Sequence, residues 1–177
     1  MTVYSCFADI LDYPERSIAR PVDDCIAELA DEVPEACALL MDFQSAIAEK
    51  NIGQLQELYT NAFDLRPDCT PNLGYHMFGD DARRGVFLVE LKERMEARGI
   101  PLGTELADHI SLILRYLDVA GEDRVPVVEE CLLPSVSRMV DALEHSGNPY
   151  EYALCALLAL VRHQHDAFVI SAVAAGA

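Results

Sequence analysis

Apolar residues recur along most of the chain at the three- and four-residue spacing of amphipathic helices. The pattern is clear over 36–47 and again over 106–117, while residues 80–98 combine helical spacing with a charged face. After Pro149 the sequence is apolar on every side through 161, which predicts a helix at the centre of a bundle. Shorter helices are predicted near 3–11, 22–33, 52–63 and 133–146.

No segment has the alternation of a convincing β-strand. The apolar run 125–128 is interrupted by proline, and 168–170 has no second alternating segment to pair with. A length of 177 residues favours one domain. We therefore expect an all-α, single-domain helical bundle of about eight to ten helices over 1–166, with a tail over 167–177 that is prone to fraying.

Charge narrows the classes of partner. Lysine and arginine total 13 against 30 for aspartate and glutamate, which gives a net charge of −17. With so few cations to replace phosphate counterions, the chain is not expected to bind nucleic acid, and a highly phosphorylated ligand would be repelled. A basic partner would be attracted.

The cysteines and the N-terminal sequence indicate the cellular compartment of the protein. The six cysteines form no CxxC pair, and the acidic N-terminal stretch does not have the basic region of a signal peptide. The longest apolar run, 153–161, is too short to cross a bilayer. These features predict free thiols, a cytoplasmic location and no membrane insertion.

Metal and catalytic motifs are weak. His163 and His165 are two residues apart, so on a helix they point in nearly opposite directions and cannot share one ion. His165-Asp166 resembles one element of the HD-type metal phosphohydrolases, but no acidic residue follows Asp166 to complete such a site. The chain has no GxSxG, P-loop or GxGxxG motif. Neither a metal site nor an enzyme is expected.

Two dense segments remain. In YHMFGDDARRG at 75–85, Gly79 is expected to end one helix and Asp80 to cap the next. Two arginines in a first helical turn oppose the helix dipole, so we expect acids on neighbouring helices to hold Arg83 and Arg84. In ELADH at 105–109 the structural interpretation is an acidic first turn capped by Thr104, with His109 as a packing residue.

LYTNAFDL at 58–65, YHMFGDDARRG at 75–85 and ELADHI at 105–110 together resemble the NarJ-type chaperones of the nitrate reductase delta-subunit family, relatives of the TorD-type redox-enzyme chaperones. One departure is Ala107, where the family motif commonly has proline. The resemblance implies a non-enzymatic cytoplasmic chaperone. Such proteins bind the N-terminal segment of a molybdoenzyme catalytic subunit, often a twin-arginine leader or its remnant, until the molybdenum cofactor is loaded.

A physical hypothesis accompanies this resemblance. Asp108, with Glu105 or Asp64, would receive an arginine of the leader, and aromatic side chains would line a trough for its apolar face. His109 would make release sensitive to pH. The candidate peptide-binding residues are Tyr59, Phe63, Asp64, Tyr75, His76, Phe78, Asp80, Arg83, Arg84, Glu105, Asp108 and His109.

The molybdenum cofactor is expected to belong to the partner enzyme. It is an anionic pyrophosphate ligand, so direct binding would need Arg83 and Arg84 together. We expect a monomer or weak dimer. Two other classes stay open: a helical interaction adaptor unrelated to cofactor assembly and, less favoured, a helical metal phosphohydrolase.

Overall fold

The computed structural model describes residues 2–175, with only the backbone at 169 and 171–175. The helices are α1 (Val3–Ile10), α2 (Ala19–Leu29), α3 (Pro34–Ile47), α4 (Ile52–Tyr59), α5 (Leu73–Phe78), α6 (Arg83–Ala97), α7 (Ile110–Leu117), α8 (Arg124–Val127), α9 (Leu133–Leu143) and α10 (Tyr150–Ala175). Within 2–175 there is no strand, so the all-α prediction is confirmed.

The helix predicted to be central is α10, which packs most extensively against α3 and also against α9. Its first turns bury Leu154, Leu157 and Val161 in the core. Helix α1 lies against α2 and α7, and α2 continues the row to α3. This order brings α1 and the first turns of α10 into one core, because Tyr4 and Val161 belong to the same buried cluster.

The last helix continues beyond the predicted domain end. Its backbone is helical through Ala175, while 176–177 lie outside the described residues. Fraying of the tail therefore stays a prediction. None of the helices described is both long enough and apolar enough to span a membrane.

Two helices begin later than predicted. Gly79 ends α5 as expected, with φ at +57°, a conformation that glycine adopts without strain. The expectation that Asp80 caps the next helix is wrong: Asp81 Oδ1 accepts the Arg83 backbone N–H at 2.8 Å, and α6 starts at Arg83. Likewise α7 starts at Ile110, because residues 104–108 form turns rather than a helix capped by Thr104.

All six cysteines are free thiols. Cys6, Cys25, Cys69 and Cys131 are buried among apolar side chains. Burial raises the pKa of Cys69 and of Cys131 to about 12, because the thiolate would lose its hydration. These thiols act as core residues, in agreement with the sequence.

Candidate functional site

Backbone hydrogen bonds join residues 71–73, immediately before the 75–85 segment, to residues 108–110. The N–H of Leu73 donates to the Asp108 carbonyl at 2.8 Å, and the N–H of Ile110 donates to the Pro71 carbonyl at 2.8 Å. This short antiparallel contact fixes the start of α5 against the start of α7. The segments 75–85 and 105–109, distant in sequence, therefore form one site.

At the centre of this contact lies Asp108, whose side chain is fully buried. Its Oδ2 accepts a hydrogen bond from Arg84 Nε at 2.9 Å and forms an ion pair with Arg84 Nη2 at the same distance. Its Oδ1 accepts a hydrogen bond from Asn72 Nδ2 at 3.0 Å. Gly74 makes room for the carboxylate, because a Cβ there would lie 2.6 Å from Oδ2. In the structure described, Arg84 of the same chain pairs with Asp108, and the hypothesis that Asp108 receives an arginine of a client stays a prediction.

Arg83 and Arg84 differ in the carboxylates with which they pair. Arg84 is held by an acid from outside its own helix, as expected, although Asp108 lies in the turn before α7 rather than on a helix. For Arg83 the expectation is wrong, because its partner is Asp81 of its own turn, with Nε 3.1 Å from Oδ1. Arg83 also lies over the ring of Phe78, 5.7 Å from its centroid, and is largely exposed.

Beside the Asp108 contact is an open cavity of about 460 Å³, here called the aromatic cavity. Its floor is an aromatic cluster in which Tyr59 lies 4.7 Å from Phe63 and 5.4 Å from Tyr13, between ring centroids. The exposed carboxylates of Asp64 and Glu105 lie at its rim. The remaining lining residues are Arg66, Pro67, Thr70, Pro71, Asn72, Tyr75 and His109.

A wide helical turn shapes one wall of this cavity. Residues Thr60–Asp64 form a π-helical turn closed by the N–H of Leu65 donating to the Thr60 carbonyl at 3.0 Å. The extra residue in that turn lets Phe63 point into the core while Asp64 reaches solvent. Thr60 Oγ1 donates to Asp64 Oδ2 at 3.1 Å, which orients the rim carboxylate.

His109 forms the inner end of the cavity and caps α7. Its Nδ1 accepts the backbone N–H of Ser111 at 3.3 Å, so the proton of the neutral ring lies on Nε2, 3.4 Å from the Tyr59 hydroxyl oxygen. Burial lowers the pKa of His109 from its ordinary 6.5, although Glu105 and Asp12 oppose that shift. The ring is therefore neutral near pH 7, and a release step triggered by its protonation would need acid.

Several predicted site residues lie outside the aromatic cavity. Phe78 packs on Phe87 at 5.5 Å between centroids, and Asp80 is exposed in the following turn. His76 Nε2 donates to the Thr70 carbonyl at 2.8 Å and faces another surface hollow. Of the predicted set, the structure brings together Tyr59, Phe63, Asp64, Tyr75, Glu105 and His109.

One contribution was not predicted. Tyr13, from the loop after α1, lines the aromatic cavity and, together with Glu105, also lines an adjacent hollow of about 660 Å³. That hollow adds the carboxylates of Asp12 and Glu15. The sequence signal is an aromatic residue between acids beside Pro14, but only tertiary packing brings this loop to the site.

Over the described residues the fold is all-helical, and all three motif segments contribute to its acid-rimmed aromatic cavity. Within 2–175, where side chains are described, no His, Cys, Asp and Glu side chains cluster in a way that could hold a metal ion. The profile of the nitrate reductase delta subunit family matches residues 26–156, and the chain belongs to that family.

A relative in Bacillus subtilis (strain 168) bears the name "Probable nitrate reductase molybdenum cofactor assembly chaperone NarJ". The two are 26% identical over 164 residues, which cover 90% of this chain and 88% of the relative. The family resemblance inferred from the three motifs is confirmed.

Proposed function

We propose that this protein is a cytoplasmic assembly chaperone that binds the N-terminal segment of a molybdenum oxidoreductase catalytic subunit until its cofactor is inserted. The observation that carries the proposal is the acid-rimmed aromatic cavity, whose lining residues other than Tyr13 all lie within the range 26–156 that matches the family. The name of the Bacillus relative supports the client class. Catalytic turnover is not part of this role.

Binding combines two terms of different size. An apolar side chain inserted between Tyr13, Tyr59 and Tyr75 would contribute about 1.5 to 3 kcal/mol. An arginine paired with an exposed acid such as Asp64 or Glu105 adds at most about 1 kcal/mol. Apolar insertion therefore provides most of the affinity, while the net charge of −17 accelerates encounter with a basic segment.

Electrostatics also support the expectation that the molybdenum cofactor belongs to the client. Arg83 and Arg84, the candidates for holding an anionic pterin pyrophosphate, are both engaged by carboxylates. Freeing Arg84 would leave Asp108 buried and unpaired, which is unfavourable. We infer that the chaperone keeps the client open for insertion and does not retain the cofactor itself.

Titration calorimetry with a synthetic N-terminal peptide of the client subunit tests the proposal. Tyr13→Ala is the informative variant, because Tyr13 is 45% exposed and its loss should cost little stability. We expect binding about tenfold weaker or more, equivalent to about 1.4 kcal/mol. Tyr152→Ala, which removes a similarly exposed tyrosine on α10, serves as the control and should bind like wild type.

The charged rim is tested in the same titration. Asp64→Asn combined with Glu105→Gln should slow association and flatten its dependence on salt. Glu49→Gln combined with Glu93→Gln, which removes two charges at exposed positions, is the matched control. Equal peptide affinity for wild type, Tyr13→Ala and the rim double variant would refute the assignment of the cavity.

A further inference from the structure

The guanidinium of Arg84 lies in a site that combines a buried carboxylate, an amide that orients the carboxylate and an aromatic ring. Nε donates to Asp108 Oδ2 at 2.9 Å, and Nη2 forms an ion pair with the same oxygen at 2.9 Å. Asn72 Nδ2 donates to the other carboxylate oxygen at 3.0 Å. Tyr75 offers its ring, whose centroid lies 5.7 Å from Arg84 Cζ. We propose that Asp108, Asn72 and Tyr75 form a guanidinium-binding site that Arg84 occupies in the free protein and that a client arginine takes by displacing it.

The chemistry of this site favours arginine over other cations. A planar guanidinium donates two N–H groups in one direction while its face lies against an aromatic ring, which an ammonium cannot do. A carboxylate that is fully buried also requires a charged, hydrogen-bonding partner at all times. The site therefore exchanges one guanidinium for another rather than standing empty.

The position of the site links it to the aromatic cavity. Asn72 and Tyr75 belong to both, so a chain lying in the aromatic cavity runs along the wall behind which Asp108 is buried. Arg84 is not sealed in, because 20% of its side chain is exposed. A client arginine can approach along the face of Tyr75 as Arg84 leaves.

Apart from its pairing with Asp108, little holds Arg84 in place. It lies in the first turn of α6, where the helix dipole opposes a positive charge. The buried anchors of α6, Leu91 and Met95, are about two and three turns further along. Gly85 has no neighbouring atom within 4 Å of where a Cβ would lie, so there is open space beside this turn.

The inference deepens the proposed function and rests on it only for the source of the incoming arginine. A client arginine has to compete with Arg84 for Asp108, and Arg84 is present at high effective concentration because it belongs to the same chain. This competition favours release of the client. The measured affinity is then lower than the intrinsic affinity by the fraction of molecules in which Arg84 is out.

A chemical-rescue experiment tests the site without a client. In Arg84→Ala, ethylguanidinium at low millimolar concentration should raise the melting temperature, while ethylammonium should not. Arg84→Ala/Asp108→Asn should not respond, and neither should Arg83→Ala, which empties only the exposed pair with Asp81. If Arg84→Ala is unfolded, refolding is scored by circular dichroism with the same two ions. No difference between the two ions would overturn the proposal.

Peptide titration tests displacement. Arg84→Ala, or Arg84→Lys if the alanine variant unfolds, should bind an arginine-bearing client peptide about tenfold more tightly than wild type, corresponding to a minor displaced population of about 10% or less. A peptide with glutamine in place of arginine should show no gain. Unchanged or weaker binding of the arginine peptide would overturn displacement. Rescue by ethylguanidinium with no peptide bound by any variant would instead refute the proposed function and leave the site intact.

Discussion

Replacing Tyr150 by phenylalanine is expected to stabilise this protein, although Tyr150 is among its most buried side chains. The ring packs against Phe43, Tyr59 and Phe63, with centroid separations of 5.3, 5.8 and 5.1 Å. Among the described residues, however, no group lies within hydrogen-bonding distance of its hydroxyl. Burial also raises the pKa of this phenol well above its ordinary 10, with no hydrogen bond opposing the shift.

The magnitude follows from the cost of an unsatisfied buried polar group. A hydroxyl removed from water without a partner costs about 1 to 3 kcal/mol, and Tyr150→Phe removes this cost while keeping the ring contacts. The void left by one oxygen offsets part of the gain. We expect the free energy of unfolding to rise by about 1 kcal/mol, or the melting temperature by about 2 to 4 °C.

Urea denaturation measures the effect, with an unchanged slope as the sign that only stability has altered. Tyr116→Phe is the control of opposite sign, because the Tyr116 hydroxyl donates to Asp123 at 2.7 Å. Its removal should lower stability by about 1 kcal/mol. A loss of stability in Tyr150→Phe similar to that in Tyr116→Phe would refute the reasoning and show that the Tyr150 hydroxyl has a partner, such as a buried water.

Two further predictions concern the site. Because burial lowers the pKa of His109, the unfolded chain takes up a proton below about pH 6.5 that the folded chain does not, and stability falls as the pH drops. The stability advantage of wild type over His109→Asn should shrink between pH 7.5 and 5.5, and a constant advantage would contradict this. Gly74→Ala should cost about 1 to 3 kcal/mol, because its Cβ meets Asp108. Gly53→Ala, where the space is adequate, should cost nothing in the same melting assay.

Periodicity was enough to predict the fold class and the central position of α10. A helix that is apolar on every side has to be surrounded, and α3 and α9 surround it. Helix starts were less predictable, because Asp80 and Asp81 are chemically equivalent in the sequence and only backbone geometry selects Asp81 as the acceptor. The same limit applies to the start of α7, where His109 takes the capping role expected of Thr104.

The residues of the site were only partly predictable, because local sequence does not show which distant residues come together. Local sequence indicated that Arg83 and Arg84 needed acids, and it indicated an acid and a histidine at 108–109. It could not show that Asp108 and Arg84 satisfy each other, since that pairing depends on the backbone contact between two distant loops. Tyr13 was missed because no local pattern connects the loop after α1 with the rest of the cavity.

The reactivity of the thiols buried in the core can report local unfolding of this protein. Cys25, Cys69 and Cys131 come from separate parts of the bundle, and each is too deeply buried to meet an alkylating reagent while its surroundings stay closed. Modification of each sulfur by such a reagent therefore has to wait for a local or global unfolding event. The order in which the sulfurs react would rank the helices by how readily they separate, without any introduced label.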